Sequence, residues 1–428
     1  MRTIEIFKEI TNIPRCSGTH KPFIEYLKDF SLKNNYICKV DGANNILCYK
    51  EDKKSNICLQ SHYDIVCLED GKIPDIIEED GYLRAKDSTL GADNGIGCAY
   101  MLRLMEENID AEYLFTCDEE IGLIGANNIT HKLQSSYMLN LDSEAEGEIC
   151  IGCAGGVDIF GINVTSQYVQ NTTNKELYEI EILNLDGGHS GVDIDKNIPN
   201  ALKLLATTIK ECNADLLDIR GGERINSIPK SAHAIIVSNI KPQQSHPNMQ
   251  IIKINTPTQH YKKLDENIIN FLYIFANGVR GYDKELEVVL SSINLAIIDN
   301  SIDGLRISLS ARSMDNDELK IIKDETLALF KIFGFEVSTD GKYPAWKPTH
   351  SDFNIEVLKV YKETIPDATL NAIHAGLECA IFKDKYPNIQ VCSIGPNIYF
   401  PHSFREECEI NSALKLYDIT KNIVKKFS

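Results

Sequence analysis

The chain has 428 residues, a formal net charge of −18, and 43% hydrophobic and 25% charged residues. That balance belongs to a folded globular protein, and the length suits two domains better than one core. The acid excess, with no dense basic run, disfavours nucleic acid and anionic membranes as partners, and no run of about 18 apolar residues could cross a bilayer.

The first nine residues, Met1 to Glu9, carry acids and read as an amphipathic helix. They lack the apolar core and cleavage site of a signal peptide, so a cytoplasmic protein is expected. The 13 cysteines are an odd number scattered through strands and helices. Free buried thiols are therefore expected rather than a disulfide framework, and Cys150 and Cys153 read as ordinary core thiols.

In chain order, helices are predicted over 3–12 and 21–34. Strands follow at 46–49, 56–60, 113–116 and 137–141, with a helix over 95–107 between two of them. Such alternation marks an α/β sheet with helices on its faces. The middle of the chain differs. Residues 177–183 and 305–312 alternate with period two, as half-exposed strands do. Helices are predicted over 199–212, 263–277 and 317–333, which together give a smaller α+β unit. The last part returns to α/β character. It has helices over 352–364, from about 376, and over 411–426, with strands at 369–373 and 389–393. The expected domains are a catalytic one over 1–157 and 343–428 and an inserted one over 158–342.

Acids and histidines stand where these strands end: His62 and Asp64, Glu119 and Glu120, and Asp142. Asp93 lies in a glycine turn before a helix, and His402 lies near the C-terminus. Ligands of open α/β sheets bind at the carboxyl ends of strands. Two histidines and several carboxylates there suit a pair of divalent metals. Each segment alone has a blander reading. Asp93 could be a helix N-cap, Glu119–Glu120 a solvated acidic turn, and His62-x-Asp64 a surface pair. If His62 ligates, Asp64 is placed to orient its ring. Adjacent side chains in an extended segment point to opposite sides, so one of Glu119 and Glu120 can ligate while the other acts as a base. Arg312 falls on the polar face of its strand with Arg306, Ser308 and Ser310, and a guanidinium there could grip a carboxylate.

In this order, the stretches Leu59–Val66, Thr89–Gly97, Asp118–Gly122, Leu141–Glu144, Gly152–Gly156, His374–Cys379 and Ser393–Pro396 resemble the dinuclear zinc peptidases of the aminoacylase and carboxypeptidase type. The resemblance covers nearly the whole chain. It implies two Zn2+ per subunit, with Co2+ or Mn2+ as substitutes. His62 and Asp142 would hold one ion, Glu120 and His402 the other, and Asp93 would bridge them. Glu119 would be the catalytic base and Asp64 would stand behind the ligands. A cis peptide bond after Asp93 is also implied. In the inserted part, the loop Gly187–Gly191 would bring His189 to the oxyanion, in a partner subunit's site. Asn226 and Arg312 would bind the substrate's carboxylate end, and Gly376 would lend a backbone contact.

The family implies hydrolysis of a dipeptide or short peptide by a homodimer joined through the inserted part, which acts as a lid. An N-acyl amino acid deacylase would use the same metal motifs. A catalytically silent metal-binding homologue is disfavoured, because ligation alone needs neither Glu119 nor Asp64. Departures from the family pattern are Phe404–Arg405 after His402, and a segment over 194–200 that lacks a histidine and glycines common there. The inserted part also looks short.

Overall fold

A computed structural model describes residues 1–68, 73–164, 166–169, 175–255, 261–301 and 304–428. The chain divides into two compact units, one of Met1–Cys153, Trp346–Ala372 and Leu377–Ser428, the other of Ala154–Ala345 and Ile373–Gly376.

The first unit is built on an eight-stranded sheet. Its centre is three parallel neighbours, Glu112–Thr116, Ile57–His62 and Tyr137–Asn140, and Gln390–Ser393 continues the parallel run beyond the third. Their residues are buried almost throughout because both faces are covered, as parallel sheets require. Helices Arg2–Thr11, Ala92–Glu106, Asp352–Lys362 and Ile410–Phe427 supply the cover. Phe7, Phe23, Tyr100, Phe115, Phe353 and Tyr417 are buried in the resulting core. The predicted α/β class holds, with a mixed central sheet and packed helices.

The second unit has an antiparallel sheet in which Gly155–Asn163, Glu176–Ile182, Ala232–Ser238 and Gly304–Ser313 take part. Along Glu176–Ile182 the period-two pattern buries Tyr178, Ile180 and Ile182. Helices Ala201–Glu211, Glu266–Ile274 and Asn316–Ile332 begin at Asn200, Asp265 and Asp315, whose side chains accept from the first-turn amides. The helix expected over 263–277 is thus shorter, because Asp265 caps it and Tyr261–Leu264 is a strand. Phe271 and Phe330 stack at 4.2 Å in this core.

Two cysteines depart from expectation. Cys16 and Cys67 form a disulfide, with 5.6 Å between their Cα atoms. They lie 51 residues apart, and no spacing motif announces the pair. Cys150 and Cys153 are buried thiols, as expected.

Candidate active site

The strand Ile57–His62 is buried along its whole length, and its last residue, His62, is only 1% exposed. Its Nε2 lies 3.2 Å from Asp93 Oδ1 and 3.1 Å from Asp142 Oδ1. Asp93 reaches in the other direction as well, with Oδ2 3.0 Å from His402 Nε2. The same His402 nitrogen is 2.9 Å from Glu120 Oε2. One aspartate therefore stands between two imidazoles, and each imidazole has a second carboxylate of its own. Donor atoms of His62, Asp93 and Glu120 all fall within 4.8 Å of one another.

Asp93 does not cap its helix. Helix Ala92–Glu106 has non-helical angles at Asp93 and Asn94, so regular helix begins where it was predicted, at Gly95. The Asp93–Asn94 peptide bond is cis, as expected. The segment is held on three sides. Arg15, fully buried, donates to the carbonyls of Tyr63 at 3.1 Å and Gly91 at 2.7 Å. Asn94 accepts from Ser61 Oγ at 2.5 Å and donates to Leu141 O and to the Asp142 carboxylate. Glu406, 3% exposed, accepts from the amides of Leu90, Gly91, Ala92 and Asp93 at 2.9, 3.1, 2.8 and 3.4 Å. Glycine is required at 95, where a Cβ would overlap the Arg15 guanidinium.

Asp64 differs in detail from the expected arrangement. The near partner of His62 Nδ1 is the Asp64 backbone carbonyl, at 3.0 Å. The Asp64 carboxylate stands at 3.6 Å, beyond hydrogen-bond reach. That carboxylate instead accepts from Ser17 Oγ at 2.8 Å and from the amides of Glu119 and Glu120 at 3.1 and 3.4 Å. Asp118, at φ 52°, turns the chain out of its strand and accepts from Gly18 N at 2.7 Å. Main-chain anchors on both sides thus present Glu119 and Glu120.

The electrostatics favour cations. Burial opposes charge on His62, but Asp142, Asp64 and Asp93 overcome it and push the imidazole well above its usual range. Burial likewise opposes charge on His402, yet hydrogen bonds to Asp93 and Glu120 push it up to about 11. A carboxylate set that would hold two imidazolium protons holds divalent ions by the same field, with the rings then ligating as neutral donors. Glu120 Oε1 is buried without a hydrogen-bond partner, a lone pair that a cation would satisfy. The nitrogen and oxygen donors here therefore fit the implied metals. Burial, reinforced by Asp142, Glu120 and Glu378 against the pull of His62, pushes the Glu119 carboxyl well up.

The remaining expected residues lie in the second unit. His189 and Ser227 are register partners, and Ser190 N donates to Asn226 O at 2.8 Å, so the histidine loop and Asn226 are neighbours. Asn226 is exposed and His189 is half-buried. Arg312 is not on a solvated face: it is 8% exposed and its Nη1 donates to Tyr343 Oη at 2.8 Å, while Nε is buried without a partner. The Tyr343 ring lies against Gly376, where a Cβ would sit 2.8 Å from it. His374 Nε2 pairs with Ser292 Oγ at 2.7 Å. Sequence reasoning gave no role to Glu406, Arg15, Asn94 or Tyr343. The one signal was Glu406, four residues after His402, directly behind the departures at Phe404–Arg405.

The model for "Peptidase family M20/M25/M40" matches residues 58–426. The cytosol non-specific dipeptidase of Escherichia coli (strain K12) is 30% identical, over 99% of this chain and 96% of the relative. Among solved structures, the aminoacylhistidine dipeptidase of Vibrio alginolyticus superposes with a TM-score of 0.85 at 26% identity, covering 100% of this chain and 96% of the other. A tripeptidase of Staphylococcus aureus gives 0.61 at 17% identity, with 100% and 98% covered, and shows the shared fold. The chain belongs to peptidase family M20/M25/M40 and is a metal-dependent hydrolase of that family.

Proposed function

We propose that the chain is a two-zinc dipeptidase, acting on aminoacyl-histidine or a broad set of dipeptides. The observation that supports this most is the convergence of His62, Asp93, Glu120, Asp142 and His402. The relatives' names point to dipeptides, and that substrate class comes to this chain with the proposal. His62 and Asp142 would hold one ion, Glu120 and His402 the other, and Asp93 both. Bound there, the ions supply Lewis acidity and make water a competent nucleophile near neutral pH.

The chain's own groups do the rest. Glu119 takes a proton from the attacking water and passes it to the leaving amine. Its raised affinity for protons suits that shuttle. Asp64 fixes the main chain of Glu119 and Glu120 through their amides. His189 donates to the oxyanion as the carbonyl becomes tetrahedral. Arg312 and Asn226 hold the substrate's carboxylate end, and Gly376 adds a backbone contact. The inserted unit serves as lid and as the contact of a cytoplasmic homodimer, with His189 acting in the partner subunit's site. These roles of the inserted unit rest on the family resemblance of its loops.

The deciding experiment assays purified, zinc-loaded protein on a dipeptide panel beside N-acetyl amino acids, with metal content measured on the same sample. Turnover of dipeptides with about two ions per chain is expected. Turnover confined to N-acyl amino acids would make the protein a deacylase, and none on either would make it a silent homologue. For the dimer, mixing His189→Ala and Glu119→Gln chains should recover some activity. No recovery despite proven subunit exchange would refute the trans histidine.

A further inference from the structure

A buried polar layer lies beneath the ligands, and none of the roles above uses it. Gln60 precedes His62 by two residues and Asn140 precedes Asp142 by two, so both face the way the ligands do. Thr116 is the register partner of His62 across the parallel pair, and Gln60 is the partner of Asn140. These three side chains are 0% exposed, and so is Glu378, the first residue of helix Glu378–Lys385. One oxygen of Glu378, Oε2, accepts from both Gln60 Nε2 and Thr116 Oγ1 at 2.6 Å. Gln60 Oε1 accepts in turn from Asn140 Nδ2 at 2.5 Å, and Asn140 Oδ1 accepts from Asp142 N at 3.2 Å. The other carboxylate oxygen, Oε1, is buried without a hydrogen-bond partner.

We propose that Glu378 is a positioning residue for the metal centre, and that its Oε2 is the acceptor that fixes the ends of the three ligand-bearing strands. This inference rests on the metal-site reading given above. Ladder hydrogen bonds align the strands only up to their last pairs. Asp142 and the Glu119–Glu120 turn lie past those pairs: main-chain bonds resume from Leu141 N to Gln60 O at 2.9 Å and from Ser143 N to Ile394 O at 3.4 Å, but the Asp142 amide between them goes to the Asn140 side chain. The chain Glu378–Gln60–Asn140–Asp142 carries alignment across that gap on one side. Glu378–Thr116 carries it on the other, three residues before Glu119. Burying a carboxylate is costly unless its hydrogen bonds are made, and a buried polar network specifies one arrangement where apolar packing tolerates several. The work belongs to the acceptor oxygen and not to the charge, because one oxygen makes both contacts and the other makes none.

The test uses full-length protein with three substitutions: Glu378→Gln, which keeps an acceptor at Oε2; Glu378→Leu, which removes it; and Thr116→Val, which removes one donor. Zinc affinity is read by chelator competition, kcat and KM on the best dipeptide, and folding by the melting point of the metal-free chain. Glu378→Leu should weaken zinc by about 10–100-fold, the usual range for residues behind a ligand, and lower kcat with KM within about threefold. Thr116→Val should move the same readouts in the same direction, and the double variant should be no worse than Glu378→Leu. Glu378→Gln should restore zinc affinity to within about threefold of the parent. If Glu378→Leu does not fold, Thr116→Val and Glu378→Gln decide. Folded Glu378→Leu, or Thr116→Val in its place, with parental zinc affinity overturns the proposal. So does Glu378→Gln as weak as Glu378→Leu. If the peptidase reading fails, the zinc affinities still decide, and a parent chain that binds no zinc overturns the metal reading itself.

Discussion

In the unit that holds both chain ends, the carboxylates of Asp93, Glu120 and Asp142 crowd around the imidazoles of His62 and His402, a local excess of acid. In the inserted unit, the corresponding groups are Arg312 against Tyr343, and His374 against Ser292. There the guanidinium is a cation with a neutral neighbour, and burial, reinforced by Arg312, pushes His374 down to about 3, so that it stays neutral. One unit thus accumulates negative charge that cations must offset; in the other the guanidinium's hydrogen-bond partner is neutral, and a carboxylate in its field, Asp158, is pushed up by burial. Divalent cations suit the first field; under the proposed function a substrate carboxylate would suit the second, and that division of charge is open to experiment.

The sharpest way to break that division is at Glu119. Glu119→Gln keeps the side chain's shape and removes the proton acceptor, so kcat should fall by about 10²–10⁴-fold, the usual worth of a general base. Zinc content should not change, because the ligand set keeps Glu120. Near-normal kcat would remove Glu119 as the base and leave the acid cluster as a ligand set alone. A smaller effect is expected at Arg312. Arg312→Lys keeps the charge and loses the planar fork. Since a hydrogen bond to a charged group is worth about 1.5–3 kcal/mol, kcat/KM should drop by about 10–100-fold, mostly through KM. A loss carried by kcat with KM unchanged would place Arg312 at the reacting bond and not at the substrate's end.

The two regions also differ in how far the sequence discloses them. The candidate metal ligands of the first unit were legible because acids and histidines that each follow a short, largely apolar strand stand out together. The strand expected over 46–49 is the one observed, Ile46–Tyr49. What supports the ligands was not legible. Glu406 acts on main-chain amides more than three hundred residues away, and any sequence there offers the same amides. Asp64 stands 3.6 Å from His62 Nδ1, but its carboxylate also accepts from the Glu119 and Glu120 amides, and those main-chain partners leave no mark in the sequence. In the inserted unit, period-two alternation marked the strand of Arg312 but gave the wrong surroundings: its polar face reads as solvated, and Ser308, Ser310 and Arg312 are all buried. Alternation reports which side chains share a face, not what covers that face.

The smallest expected effect tests whether the inserted unit does keep its histidine neutral. His374 has a folded pKa of about 3 against the usual 6.5, with burial as the main cause, helped by Arg312 and His189. In the window between those values the unfolded chain binds a proton that the folded chain refuses. Stability contributed by neutral His374 is therefore present above about pH 6.5 and is lost as pH falls through the window. The linkage amounts to about 2 kcal/mol between about pH 7 and about pH 5. His374→Gln places an amide where Nε2 meets Ser292 and does not titrate. Chemical denaturation of parent and variant side by side should show the parent losing more stability than the variant over that interval, with the difference near 2 kcal/mol. Carboxylates that titrate in the same range contribute equally to both proteins and cancel. Equal losses would mean that His374 titrates normally, that the pocket around Arg312 is wetter than its burial implies, and that the contrast in charge between the two units is weaker than their geometry indicates.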